Sequence, residues 1–179
     1  MDVQTVLQDI NGLIEQLRAS RALDWRTCFT RVYTTPPDGR GVVCECSDKT
    51  MLDELRREMQ RRGAGDTIRF RGLPSESDGL PARLMAVSSV ADVRRAPDHA
   101  SELVTQIIYG DSVESLKEDG EWYLVRMDDG YIGWIRSWHL IAVTRDVLDN
   151  YAESAKHRMS VNHAMVYQEP ARDALPVTD

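Results

Sequence analysis

No run of apolar residues in the 179-residue chain approaches the roughly 20 needed to cross a bilayer. The opening Met1-Asp2-Val3-Gln4 has no basic region followed by an apolar one, so the chain as written is expected to be neither exported nor anchored, with no direct membrane insertion. Basic charge is short where a nucleic-acid binder would need it. The net charge is -7; residues 1–85 carry 13 Lys+Arg against 13 Asp+Glu, and residues 86–179 carry 9 against 16. That acidic second half argues against nucleic acid, whose affinity comes mainly from neutralising phosphates, and suits an amine-bearing or neutral ligand better. Cysteine is scarce too. Cys28, Cys44 and Cys46 cannot all pair, and none lies beyond residue 46. Cys44 and Cys46 share one face of a strand. A zinc site would need a fourth ligand that does not lie nearby, so no metal is expected. The three are read as small reduced core residues, with a disulfide from Cys28 to Cys44 or Cys46 as the other reading.

What is present begins with an amphipathic helix over Asp2–Ser20, striped by Val3, Val6, Leu7, Ile10, Ile14 and Leu17. A strand is expected over Trp25–Tyr33, a turn through Pro36-Pro37-Asp38-Gly39, and a returning strand over Gly41–Ser47. Ser47, Asp48 or Thr50 can cap a second helix carrying Met51, Leu52, Leu55 and Met59 and ending before Gly63. A third strand, Thr67–Arg71, completes the order helix, strand, strand, helix, strand. The expected fold class is therefore an α+β first domain over residues 1–72, one sheet with both helices on one face, followed by an all-β SH3-like small barrel. The first domain looks loosely like the BON family of bacterial envelope-associated domains, a likeness of element order alone. Residues 73–83, rich in Gly, Pro and Ser, read as a linker.

From Arg83 onward short strands crowd together: Leu84–Ser88, Val90–Arg94, Leu103–Tyr109, Ser112–Glu118, Trp122–Met127 and Tyr131–Ile135. The last two flank Asp128-Asp129-Gly130, and an Asp-Gly pair between alternating runs is a strong hairpin signal. Six strands in about sixty residues describe a small barrel, residues 84–143. Thr144 starts a connecting helix over 144–158, with Asp146 in its first turn and Lys156, His157 and Arg158 in its last. Residues 159–179 lie gap-free on 86–106, matching Ala164 to Ala91, Val166 to Val93, Pro170 to Pro97, Val177 to Val104 and Thr178 to Thr105, which suggests the opening strands of a truncated second repeat.

Three of the four tryptophans fall in Glu121–Leu140. Rigid aromatic surface holds sugars and peptides well. Alternation leaves one of Trp122 and Tyr123 exposed and assigns Trp134 to the barrel interior, so Tyr131, Trp138 and Trp122 are the surface candidates. Four histidines, His99, His139, His157 and His163, are scattered singly and read as solvated. The carboxylate pairs Glu118-Asp119 and Asp128-Asp129 read as turn formers rather than acid–base groups.

The segments A-D-V-R-R-A-P-D-H-A-S-E-L-V-T-Q, Y-G-D-S-V-E-S-L, G-E-W-Y-L-V-R and D-G-Y-I-G-W-I resemble, in this order, the bacterial SH3 domain that precedes the catalytic domain of NlpC-type cysteine peptidases. Those enzymes cleave γ-D-glutamyl to diamino-acid bonds with a Cys nucleophile and a His base, and no such pair is credible in this chain. The resemblance implies a non-catalytic region that binds peptidoglycan-derived peptide or serves a downstream catalytic domain, with no cofactor. It places Tyr131 at the tyrosine that helps receive the substrate's free amine, together with an acidic residue before the early proline. Here that position is Ala96, so either Asp98 substitutes or the specificity has shifted. A stand-alone interaction protein whose barrel binds a protein partner or wall polymer is the alternative. Wall recycling in the bacterial cytoplasm and a place in the cell envelope both fit the sequence.

Overall fold

The structure is a computed structural model that describes residues 2–35 and 41–154. The chain forms two compact units that part between Gly79 and Leu80, inside the expected linker. Among the described residues no helix is long and apolar enough to cross a membrane.

The first unit follows the expected order: α1 (Val3–Arg21), β1 (Thr30–Thr34), β2 (Val42–Cys46), α2 (Lys49–Arg61) and β3 (Ile68–Gly72). β2 is central, antiparallel to β1 and parallel to β3, with α2 as the crossover. Period two puts Val42, Cys44 and Cys46 on one face, where they share a core with Val6, Ile10 and Ile14 of α1 and Met51, Leu55 and Met59 of α2. Both helices therefore cover the same face. Of the three candidate caps it is Asp48 that closes α2, its carboxylate accepting from Met51 N at 2.6 Å.

The first strand is shorter than its alternation suggests. Asp24 folds the chain into a turn instead, its carbonyl accepting from Thr27 N and Cys28 N and its carboxylate from Arg26 N and Nε. Those Arg26 bonds hold the Asp24 carboxyl down to about 2. All three cysteines are free and buried. Cys28 Sγ lies 3.5 Å from Met51 Sδ. Burial pushes the Cys44 thiol up to about 12, while a hydrogen bond between the Cys28 and Cys46 thiols raises the second and lowers the first. The opposite face of β2 carries Glu45, which is fully buried and accepts from Tyr33 Oη and Arg71 Nη1, each at 3.3 Å.

The second unit is one curled antiparallel sheet: β4 (Arg83–Ala86), β5 (Val90–Arg94), β6 (Leu103–Ile108), β7 (Ser112–Asp119), β8 (Trp122–Arg126), β9 (Ile132–Arg136) and β10 (Leu140–Val143), in the order β10-β4-β7-β8-β9-β5-β6. Leu140 from one edge and Ile107 from the other meet Ala91, Val93, Val113, Val125 and Ile135 in a single core, so the sheet closes around its own inner face. Gly133 is required on that face. A Cβ there would lie 2.4 Å from Val93 Cγ1 and 2.9 Å from the Arg94 carbonyl oxygen. The β8–β9 turn forms as its Asp-Gly pair demands: Gly130 has φ +89°, and the Asp129 carboxylate accepts from Tyr131 N at 3.0 Å.

Two elements here have no counterpart in the strand pattern of the sequence, a 3-10 turn over Ser137–His139 and β10 itself. β10 is only four residues long and pairs with β4, more than fifty residues earlier. α3 (Arg145–Ser154) starts at Thr144, whose Oγ1 accepts from Val147 N at 3.4 Å. The rest of the expected connecting helix beyond residue 154 and the suspected second repeat over 159–179 lie outside the described residues.

Candidate functional site

Cross-strand register builds the site. Trp122 opens β8 directly opposite Arg136, which closes β9, and the 3-10 turn that follows swings Trp138 back over the same side chain. The Arg136 guanidinium carbon lies 4.7 Å from the Trp122 ring centre and 4.3 Å from that of Trp138, a cation held between two indoles. Arg136 Nε and Nη2 donate to His99 Nε2 at 3.0 and 2.5 Å, and Nη1 reaches Glu121. His99 stands edge-on to Trp122, ring centres 5.3 Å apart.

Beside this stack runs a cleft of about 360 Å³, floored by Val90, Asp92 and Arg94 of β5 and walled by His99, Trp122, Arg136 and His139. Arg94 Nη1 donates to the Ser101 carbonyl at 2.9 Å and Nη2 to the Asp92 carboxylate at 2.5 Å. The Asp92 carboxyl is held below the usual carboxylate range, first by the Gln106 amide at 2.8 Å and then by Arg94. His139 bridges Ser88 Oγ, 2.7 Å from its Nδ1, and the indole N–H of Trp138, which donates to its Nε2 at 3.1 Å.

Of the residues expected to form the site, Trp122 and Trp138 are brought together on Arg136. Trp138 is 55% exposed and reaches the cleft through its stacking on Arg136. Trp122 is not the exposed member of its pair: Arg136 and His99 leave it only 8% exposed, and Tyr123 is half-buried against the core. Tyr131 lies elsewhere. It precedes Ile132 at the far end of β9, five residues from Arg136, or about 16 Å at roughly 3.3 Å per residue, and packs half-buried against the barrel core. The Asp98 carboxylate accepts from Ala100 N at 3.0 Å and so is engaged in its own turn, next to His99.

The residues that sequence reasoning did not single out are Asp92, Arg94, His99, Arg136 and His139. His99 and His139, read as separate solvated rings, line one cleft although forty positions apart. A partial signal for Arg136 does exist: in R-S-W an arginine ends a strand two residues before a tryptophan that the following turn can bring over it.

The second unit is thus a curled antiparallel sheet with a 3-10 turn before its last strand and an aromatic cleft beside that turn. Compared with known families, residues 93–140 match the model described as the bacterial dipeptidyl-peptidase Sh3 domain. The match takes in Arg94, His99, Trp122, Arg136, Trp138 and His139, together with Tyr131 and Asp98. The match covers part of the second unit and suggests a binding module of the kind described from a bacterial dipeptidyl-peptidase. No curated protein matches the chain.

Proposed function

We propose that this chain is a non-catalytic region of an NlpC-type peptidoglycan peptidase, whose SH3-type barrel binds cell-wall peptide and presents it to a catalytic domain. The observation that carries this reading is the cleft itself. Its floor and walls offer Val90, Arg136, Arg94, Asp92 and two imidazoles, and the exposed indole of Trp138 stacks on Arg136 beside it. Apolar surface with a few convergent polar groups is what peptide ligands of this size require. The match of residues 93–140 to a dipeptidyl-peptidase Sh3 domain supports a peptide as the ligand.

Tyr131 and the cleft are separate contacts, since four residues of β9 lie between Tyr131 and Arg136. Tyr131 receives the ligand's free amine in this reading, and Asp98, engaged in its turn, contributes through a change of rotamer or not at all. Tyr131→Ala is expected to weaken the wall tripeptide L-alanyl-γ-D-glutamyl-diaminopimelate roughly tenfold, the scale of one hydrogen bond to a charged group. Its N-acetylated form should bind the variant and the parent alike. Titration calorimetry on the full chain reads both; equal losses for the two peptides, or no loss for either, count against the amine role.

The alternative, a stand-alone interaction protein, draws on a different observation. Val90 and Ile108, which face each other across β5 and β6, are exposed, as are Tyr109 and Ile141. A protein partner would cover such side chains.

A further inference from the structure

We propose that the cleft recognises a carboxylate of its ligand, and that Glu121 occupies the receiving cation until the ligand displaces it. The inference rests on the wall-peptide reading for the identity of the ligand, but its argument is the geometry of two arginines. Arg136 is only 17% exposed in its side chain and is fixed by the Trp122 and Trp138 rings on its faces and by His99 Nε2 on its Nε and Nη2. Its carboxylate partner is fixed by much less. Glu121 is 72% exposed and meets Arg136 from solvent. Arg94 repeats the pattern, held by the Ser101 carbonyl while Asp92 approaches from a more open position.

An exposed ion pair contributes little, because water solvates its carboxylate almost as well as the guanidinium does. Exchanging Glu121 for a ligand carboxylate therefore costs little, while the arginine that receives it is already oriented and stacked. A carboxylate entering the cleft meets Nη1 of Arg136 at a charge-assisted bond, and the residue bearing it can lay its apolar part on Trp138 and Val90. The ligand class is a peptide with a free carboxylate next to a small or apolar side chain. Phosphate and sulfate groups, which are larger and carry no flanking apolar surface, gain nothing from those two side chains.

Full chain titrated with the wall tripeptide and with the same tripeptide in which the free carboxylates are amidated separates the possibilities. The expected result is a loss of tenfold or more on amidation, the scale of a charge-assisted bond. Glu121→Gln, at an exposed position where folding is insensitive, is expected to tighten the unmodified tripeptide severalfold by removing the internal competitor. It should leave the amidated form unchanged. If both tripeptides bind alike, or if Glu121→Gln weakens or does not alter binding, carboxylate recognition is overturned while the wall-peptide reading stands. If neither tripeptide binds, both fail. Arg136→Lys, which keeps the charge but loses the planar stacked fork, should narrow the difference between the two tripeptides.

Discussion

Trp134→Ala should destabilise the protein by about 3–5 kcal/mol, the range for removing a fully buried aromatic side chain. Trp134 sits in the middle of β9, paired with Leu124 on one side and Arg94 on the other, and is 2% exposed. Its neighbours belong to three paired strands, so the sheet cannot collapse into the space without breaking ladder bonds. Trp138→Ala supplies the contrast: with over half its surface already in water, its removal should change stability by less than about 0.5 kcal/mol. Urea unfolding of the full chain measures both. A Trp134→Ala cost below about 1 kcal/mol would mean the residue is not part of the barrel's packing and must be reconsidered as ligand surface.

In the first unit the corresponding test is Arg71→Ala, expected to cost about 3–5 kcal/mol because it removes a cationic partner from the buried Glu45 carboxylate. Tyr33 and Arg71 both donate to Glu45 Oε1. Burial, together with the adjacent carboxylate, pushes the Tyr33 phenol above its ordinary value, which keeps it a donor at neutral pH. Arg71 also ties in Asp78, so its loss frees the 3-10 turn that ends the first unit. The double variant Arg71→Ala/Glu45→Gln should recover part of the loss, since a neutral amide is far cheaper to leave in place than a carboxylate. Equal destabilisation in the single and double variants would show that the cost lies in lost packing of the arginine stem rather than in the stranded charge.

The parts of this fold that are legible in the sequence are those governed by short-range periodicity. The stripes of α1 and α2, the alternation of β2, and the hairpin at Asp129-Gly130 are all set by residues within one or two turns of each other. The α+β unit followed by a curled β unit follows from their order. What escapes is set by pairing across distance. Trp25–Phe29 alternates like a strand, yet Asp24 and Arg26 form a local turn that wins there. β10 is too short to show a pattern and exists because β4 presents an open edge.

The site divides in the same way. Aromatic content located it within Glu121–Leu140 and marked Trp138 and Trp122, but period two alone cannot show that Trp122 is covered. Its cover comes from Arg136 across the ladder and from His99 in a loop more than twenty residues earlier. The two histidines illustrate the limit: nothing in their spacing brings them to one cleft, whereas the return of the sheet on itself does. Tyr131 was singled out through resemblance, and the geometry sets it apart from the cleft that the sequence did not reveal.

The most direct test of the account is a set of heteronuclear NMR spectra following the four indole N–H resonances as the wall tripeptide is added to the full chain. The account predicts that the Trp138 and Trp122 signals move and saturate together, while those of Trp134 and Trp25 stay in place. Saturable binding that moves Trp134 or Trp25 but leaves Trp138 and Trp122 unshifted, or the absence of any shift, would contradict it.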